Sequence, residues 1–122
     1  MYLQGHSDVS QERYFNNNLA NALLFLGRGD EASTSYAAAL DIDPKLAEAH
    51  YNTGNILKDQ DRPEEAAQRY ERALAINPEY AEAHANMGNA CMEQGLLDDA
   101  ADCYQKGLAI TPDNVKALNN LG

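Results

Sequence analysis

The sequence has no long apolar run and only two cysteines, and each shortage excludes a class of protein. No stretch approaches the roughly 18 consecutive apolar residues of a membrane-spanning helix. Residues 1–10 lack the apolar centre of a signal peptide. The cysteines, Cys91 and Cys103, form neither a C-x-x-C pair nor a disulfide framework. These shortages predict a protein of the cytosol (cytoplasmic) that makes no contact with a membrane.

Basic residues are also scarce, since nine lysines and arginines stand against 19 acids and the net charge is −10. Nucleic acid phosphates require a basic face, so no nucleic acid partner is expected. The acidity favours a basic protein or peptide as one alternative for the partner. Part of the acidity has a local origin, because carboxylates at a helix start complement the helix dipole. Three acidic pairs recur at predicted helix starts: Asp30-Glu31, Glu64-Glu65 and Asp98-Asp99.

A repeat of 34 residues accounts for most of the chain. The stretches Ala47–Tyr80 and Ala81–Asn114 are identical at 15 of 34 positions. An isolated helical hairpin cannot bury its apolar face, so the repeats are expected to stack into a right-handed superhelical array. The predicted organisation is a lead-in or cap at 1–12, repeats at 13–46, 47–80 and 81–114, and a truncated first helix of a fourth repeat at 115–122.

Apolar periodicity and helix-stop residues predict two helices in every repeat. The first helix is expected to start after a cap at Asp8, and Gly27 and Gly95 are expected to end helices, with Asp61 in the same place in the second repeat. The predicted helices are about Val9–Leu26, Asp30–Asp41, Leu46–Gln60, Pro63–Ile76, Ala81–Gln94 and Leu97–Ile110. The stripe expected to be buried on the first of them is Phe15, Leu19, Ala22, Leu23 and Leu26.

Small and aromatic residues recur in register between the repeats, which predicts where helices approach each other. One tyrosine per repeat is expected to fill the space beside the small residues. The small columns are Ala32/Ala66/Ala100, Ala39/Ala73/Gly107 and Ala20/Gly54/Gly88/Gly122, and the tyrosine column is Tyr36/Tyr70/Tyr104.

These columns, with a proline at Pro44, Pro78 and Pro112, resemble the tetratricopeptide repeat family over Arg13–Gly122. The resemblance implies an all-α fold, a right-handed superhelical α-solenoid of antiparallel helix pairs whose first helices line a concave groove. The sequence departs from the family where tryptophan is frequent, since that column holds Asn16, His50, His84 and Leu118.

Residues that could carry chemistry are few. His50 and His84 lie one repeat apart and are interpreted as filling an aromatic core column, not as metal ligands. Cys91 falls in an apolar column and is expected to be buried, whereas Cys103 is expected to be partly exposed. No phosphate loop, G-x-S-x-G elbow or H-E-x-x-H motif is present. The sequence therefore predicts a protein that is not an enzyme and uses neither a metal nor a cofactor.

Two columns of asparagine on the first helices are the candidate binding site. Asparagine is a mediocre helix former, and its amide both donates and accepts hydrogen bonds, as a peptide backbone requires. The alternative is that these amides bond to neighbouring helices, and this alternative is favoured for the second column. The first column is Asn18, Asn52, Asn86 and Asn120, the second is Asn21, Asn55 and Asn89, and Tyr51, Lys58, Glu48 and Glu82 are predicted to share their face.

The leading hypothesis is a protein–protein interaction module that binds an extended peptide in its groove. Family members that bind chaperones hold a terminal carboxylate with basic residues, and the corresponding columns here carry Asn17, Asn52 and Glu82 instead. A closer resemblance is to the asparagine-rich arrays of O-linked N-acetylglucosamine transferases and related bacterial repeat proteins. The first alternative is therefore a substrate-recruiting fragment of a larger glycosyltransferase or methyltransferase. The second is an end-to-end self-assembling scaffold that uses exposed terminal helices, including Leu118 and Leu121.

Overall fold

The computed structural model describes the backbone of residues 4–110 and the side chains of residues 11–110. Over that range the chain forms six α-helices and no strand. None of these helices is long and apolar enough to cross a membrane. They are α1 (Gln4–Phe25), α2 (Gly29–Ile42), α3 (Ala47–Asp59), α4 (Pro63–Ile76), α5 (Ala81–Glu93) and α6 (Leu97–Ile110).

The helices belong to two compact units, Met1–Ala49 and His50–Gly122. In the first unit α1 packs against α2. In the second unit α5 packs against both α4 and α6. The helix α3 begins at the end of the first unit and continues into the second, where it carries Tyr51, Asn52 and Asn55.

The helix starts follow the sequence chemistry. Both α4 and α6 have the predicted bounds, and Pro63 occupies the first turn of α4, where its missing N–H is not needed. The paired acids lie in the first turns of α2, α4 and α6, as predicted. In α2 and α4 the arginine just before the helix forms an ion pair of 2.6 Å with the second acid, Arg28 with Glu31 and Arg62 with Glu65. The hydrogen bond from the arginine lowers the pKa of each glutamate.

The first helices of the three repeats each end at a residue in the left-handed conformation. Gly27 and Gly95 have φ of 80° and 79°, and Asp61 adopts 63° at the equivalent place. The amide that follows each of them donates to a carbonyl five residues back, which closes the helix end. These bonds run from Arg28 to Leu23 at 2.8 Å, from Arg62 to Leu57 at 2.9 Å and from Leu96 to Cys91 at 2.8 Å.

Asp61→Gly is expected to raise the free energy of unfolding by about 0.5–1 kcal/mol. The left-handed conformation costs a non-glycine residue about 1–2 kcal/mol, and glycine avoids this cost. Glycine also has more conformational entropy in the unfolded chain, which offsets part of the gain in stability. Urea denaturation followed by circular dichroism measures the difference. Gly95→Asp is the matched control and should lower stability by a similar amount. An unchanged midpoint for both variants would contradict this account of the helix ends.

The first helix differs from its prediction in two respects. It begins at Gln4, not near Val9 after a cap at Asp8, because nothing in this segment stops a nucleated helix from propagating. Of the stripe predicted to be buried, only Leu23 is buried, together with Ala20. The other four residues of that stripe are exposed: Phe15, Leu19, Ala22 and Leu26.

Small residues and tyrosine rings form the core in the predicted columns. The residues of the two small columns on the second helices are all buried: Ala32, Ala66, Ala100, Ala39, Ala73 and Gly107. Tyr36 and Tyr70 are the largest fully buried side chains, and Tyr104 is half-buried. The glycine column explains how the rings fit, since a Cβ on Gly54 would lie 2.6 Å from Cε1 of Tyr70. The ring therefore occupies the space that a side chain at Gly54 would need.

Candidate functional site

Each tyrosine of the core column donates a hydrogen bond to the asparagine fifteen residues before it. The hydroxyl of Tyr36 donates to Oδ1 of Asn21 at 2.5 Å in the first unit. The same contact recurs twice in the second unit, from Tyr70 to Asn55 and from Tyr104 to Asn89, again at 2.5 Å. The second asparagine column therefore has a structural partner in every described repeat. From the sequence, bonding to a neighbouring helix was the favoured alternative for this column, but the tyrosine fifteen residues later was not identified as the partner.

Asn86 connects these pairs into a network in the second unit. Its Nδ2 donates to Oδ1 of Asn55 at 2.9 Å and to the hydroxyl of Tyr51 at 3.0 Å. Its Oδ1 accepts a longer bond from Nδ2 of Asn89 at 3.4 Å. We call Tyr51, Asn55, Asn86 and Asn89, with the hydroxyls of Tyr70 and Tyr104, the amide network. All four of its named side chains are half-buried, so they are held by the helices and still reach the surface.

Aromatic contacts fix one end of the amide network. The ring of Tyr51 lies 5.9 Å from that of Tyr70 and 4.8 Å from that of Tyr80, measured between centroids. Tilted ring pairs at these separations are attractive. Burial raises the pKa of the Tyr70 hydroxyl, so it remains a hydrogen-bond donor to Asn55. The network is therefore ordered before any ligand arrives.

The amide network keeps unused hydrogen-bonding capacity. A side-chain amide has two N–H donors and a carbonyl with two lone pairs. Toward the residues that the structure describes, Asn86 uses both N–H groups and one lone pair, which leaves one acceptor site. Asn89 uses its carbonyl and one N–H, and among the described residues Nδ2 of Asn55 makes no bond. The network can thus offer donors at Asn55 and Asn89 and an acceptor at Asn86.

The remaining predicted site residues lie at the surface or outside the network. Asn18, Glu48 and Glu82 are exposed, and Asn52 and Lys58 are half-buried. In the first unit Glu48 accepts a bond of 3.4 Å from Nδ2 of Asn17. Asn120, Leu118 and Leu121 lie outside the described residues.

The histidines are buried as interpreted from the sequence, whereas Cys103 is not partly exposed as predicted. His50 and His84 are buried, and Nε2 of His84 donates to the carbonyl of Pro78 at 2.9 Å. No group of three or more metal-binding side chains occurs within the described residues. Cys103 is buried because it lies against Cys91 of the neighbouring helix α5, and Ser35 in the same column is buried as well.

Cys91 and Cys103 line one cavity of about 380 Å³ between α4, α5 and α6 in the second unit. Burial raises the pKa of both thiols, that of Cys103 to about 11. Each therefore remains a protonated, weakly nucleophilic thiol near neutral pH.

The antiparallel helix pairs, the small-residue columns and the buried tyrosines define an α-helical repeat protein. Two family models described as tetratricopeptide repeat match the chain, one over residues 12–79 and the other over residues 57–121. The chain belongs to the tetratricopeptide repeat family. The all-α fold class of antiparallel helix pairs, predicted from the sequence, is thereby confirmed.

Solved structures of the same fold are similar over most of this chain. The first tetratricopeptide domain of Spaghetti (RPAP3), bound to the HSP90 peptide SRMEEVD, is 26% identical with a TM-score of 0.85, covering 92% of this chain and 89% of that one. The N-terminal domain of stress-induced protein-1 from C. elegans is 22% identical with a TM-score of 0.78, covering 93% and 96%.

MamA is also similar, at 22% identity and a TM-score of 0.79 over 85% of this chain. The present chain spans 61% of that MamA chain. No curated protein matches the chain in sequence.

Proposed function

We propose that this chain is a protein–protein interaction module, not an enzyme, and that it holds an extended peptide against α3 and α5 of its second unit. The observation that carries this proposal is the amide network, which is ordered by Tyr51, Tyr70 and Tyr104 and still has spare donors and an acceptor. Side chains that are already held in place lose little conformational entropy when a ligand binds.

The chemistry of the amide network suits a peptide main chain. An extended peptide presents alternating N–H and C=O groups, and an unpaired one is costly once water is excluded. Asn86 can accept from a peptide N–H, and Asn55 and Asn89 can donate to peptide carbonyls. Because these bonds involve only the main chain, they bind with little dependence on the peptide's side chains.

The similarity to the Spaghetti domain supports a peptide as the ligand. The acidic side chains of the present chain favour a peptide with a different charge from the one bound to that domain. The first Spaghetti domain was solved with the HSP90 peptide SRMEEVD, which contains three acidic side chains. Here the charged side chains exposed on α5 are Glu82 and Glu93, both acidic, and the whole chain carries a net charge of −10. Like charges disfavour an acidic segment, so we propose that the bound segment is neutral or basic.

Asn86→Ala combined with Asn89→Ala is expected to weaken peptide binding roughly tenfold, because these two side chains offer an acceptor and a donor to the peptide main chain and two such hydrogen bonds contribute about 1–3 kcal/mol together. Ligands are first selected on an array of short synthetic peptides. Affinity is then measured by fluorescence anisotropy, well below the melting temperature. Asn86→Ala also breaks the bonds to Tyr51 and Asn55, so a stability loss of about 0.5–1.5 kcal/mol accompanies it.

Gln68→Ala is the matched control, since it removes an exposed amide from α4 and should leave affinity unchanged. A stability loss with unaltered affinity in the double variant would mean that the asparagines are only structural. The charge preference is tested with SRMEEVD and the same peptide with lysines in place of its glutamates. Tighter binding of the acidic peptide would contradict the preference and leave the peptide site itself standing.

A further inference from the structure

The cavity between α4, α5 and α6 brings together three sulfur-containing side chains. Cys91 and Cys103 line it from α5 and α6, and their thiols lie within hydrogen-bonding distance of each other. Met87 lines the same cavity from α5, one helical turn before Cys91. Its thioether is carried on an unbranched and flexible chain, so it can adjust its position toward the two thiols. We call Met87, Cys91 and Cys103 the sulfur cluster.

The sulfur cluster has the chemistry of a site for a soft metal ion. Thiolates and thioethers are the protein ligands that favour Cu(I), which is stable with few ligands when they are soft. A structural zinc site instead needs four ligands in tetrahedral geometry. Within residues 11–110 no group of three or more His, Cys, Asp and Glu side chains could hold a metal, so zinc cannot complete its shell there. The two thiols and the thioether therefore fit Cu(I) better than Zn(II).

The charges along the cavity favour the entry of a cation. Glu71, Asp99 and Asp102 line the cavity and are exposed, whereas the two thiols are buried. Carboxylates that line a cleft raise the local concentration of cations. Lys106 also lines the cavity, and its ammonium can offset the net negative charge of Cu(I) bound to two thiolates.

We propose that the chain binds one Cu(I) ion between α5 and α6, with the thiolates of Cys91 and Cys103 and the thioether of Met87 as its ligands. The ion replaces the two thiol protons, which pass to solvent, and the oxidation state of copper does not change. From the sequence no metal was expected, because the two cysteines form no C-x-x-C pair and only helix packing brings them together. The proposal does not depend on peptide binding by the amide network.

Competition with bicinchoninate in the absence of oxygen tests the site. The coloured Cu(I)–bicinchoninate complex is titrated with the whole chain, and ascorbate keeps the copper reduced. The wild-type chain should remove one Cu(I) per molecule and gain the ultraviolet absorption of a copper–thiolate bond. Its melting temperature should rise, because an ion that binds only the folded chain stabilises it. Zn(II) at the same concentration should raise the melting temperature less.

Four variants assign the ligands. Loss of an outer-shell partner already costs about 10–100-fold in metal affinity, so Cys91→Ala and Cys103→Ser should each lower the affinity at least about a hundredfold. Ser35 is buried in the column of Cys103, so the serine variant should fold, as checked by circular dichroism. Met87→Leu conserves volume and should lower the affinity about tenfold, since the thioether is the weaker ligand. Met92→Leu is the matched control, because Met92 is an exposed methionine of α5 that does not line the cavity.

Three results would overturn the proposed site. One is a wild-type chain that leaves the Cu(I) with bicinchoninate, and another is a folded Cys103→Ser variant with the affinity of the wild type. The third is equal affinity in Met87→Leu and Met92→Leu, because the thioether would then not be a ligand. None of these results bears on the proposed peptide site, which uses other side chains of α3 and α5.

Discussion

Tyr70→Ala is expected to lower the free energy of unfolding by about 3–5 kcal/mol, the usual cost of removing a large buried aromatic side chain. Tyr70 is fully buried in a cluster with Ala66 and Ala90, and its ring fills the space beside Gly54. None of these small neighbours can expand into the cavity. Since a domain of this size is stabilised by only about 5–15 kcal/mol, urea denaturation should show a large fall in the midpoint.

Two control variants separate burial from hydrogen bonding. Tyr104→Ala removes a half-buried ring in the same column and should cost clearly less than Tyr70→Ala. Tyr70→Phe keeps the ring and removes only the donor to Asn55, so a loss of about 0.5–1.5 kcal/mol is expected. If the two alanine variants lost equal stability, the degree of burial of the ring would not determine the loss in the free energy of unfolding.

The helices of the second and third repeats could be predicted because several signals coincide there. Pro63 begins α4, Gly95 closes the C-terminal end of α5, and the columns of small residues indicate which face of each helix is buried. The exposure of the apolar residues of α1 could not be predicted in this way. Periodicity indicates which residues share a face, but Phe15 and Leu19 are buried only if another helix covers them, and that depends on tertiary neighbours.

The candidate site was predictable in its positions and not in its bonding. Register alone aligned Asn55 with Asn89 and Asn52 with Asn86. The hydroxyl bonds from Tyr70 and Tyr104 join residues fifteen positions apart on antiparallel helices, so they follow from helix packing and not from spacing within one helix. The burial of Cys103 was predicted wrongly for the same reason, because it depends on the packing of a neighbouring helix.

Gly54→Ala is expected to lower the free energy of unfolding by about 1–2 kcal/mol. The new Cβ would lie 2.6 Å from Cε1 and 2.9 Å from Cδ1 of Tyr70, so the ring or the helices must move. Overpacking costs about 1–3 kcal/mol, and the better helix propensity of alanine offsets up to about 1 kcal/mol. Gly88→Ala is the matched variant and should cost less, because Tyr104 is half-buried and has room to shift.

A double-mutant cycle identifies the cause of the Gly54→Ala effect. Tyr70→Leu removes the ring atoms that the new Cβ would meet, so Gly54→Ala should be neutral or stabilising in that background. The first repeat offers a precedent for the pair, since Ala20 stands in the glycine column and both Ala20 and Tyr36 are fully buried. The first unit therefore has an alanine at this position, whereas the space beside Gly54 is already occupied by the ring of Tyr70. Additive losses in the cycle, measured from urea midpoints, would mean that Gly54→Ala acts through the backbone and not through Tyr70.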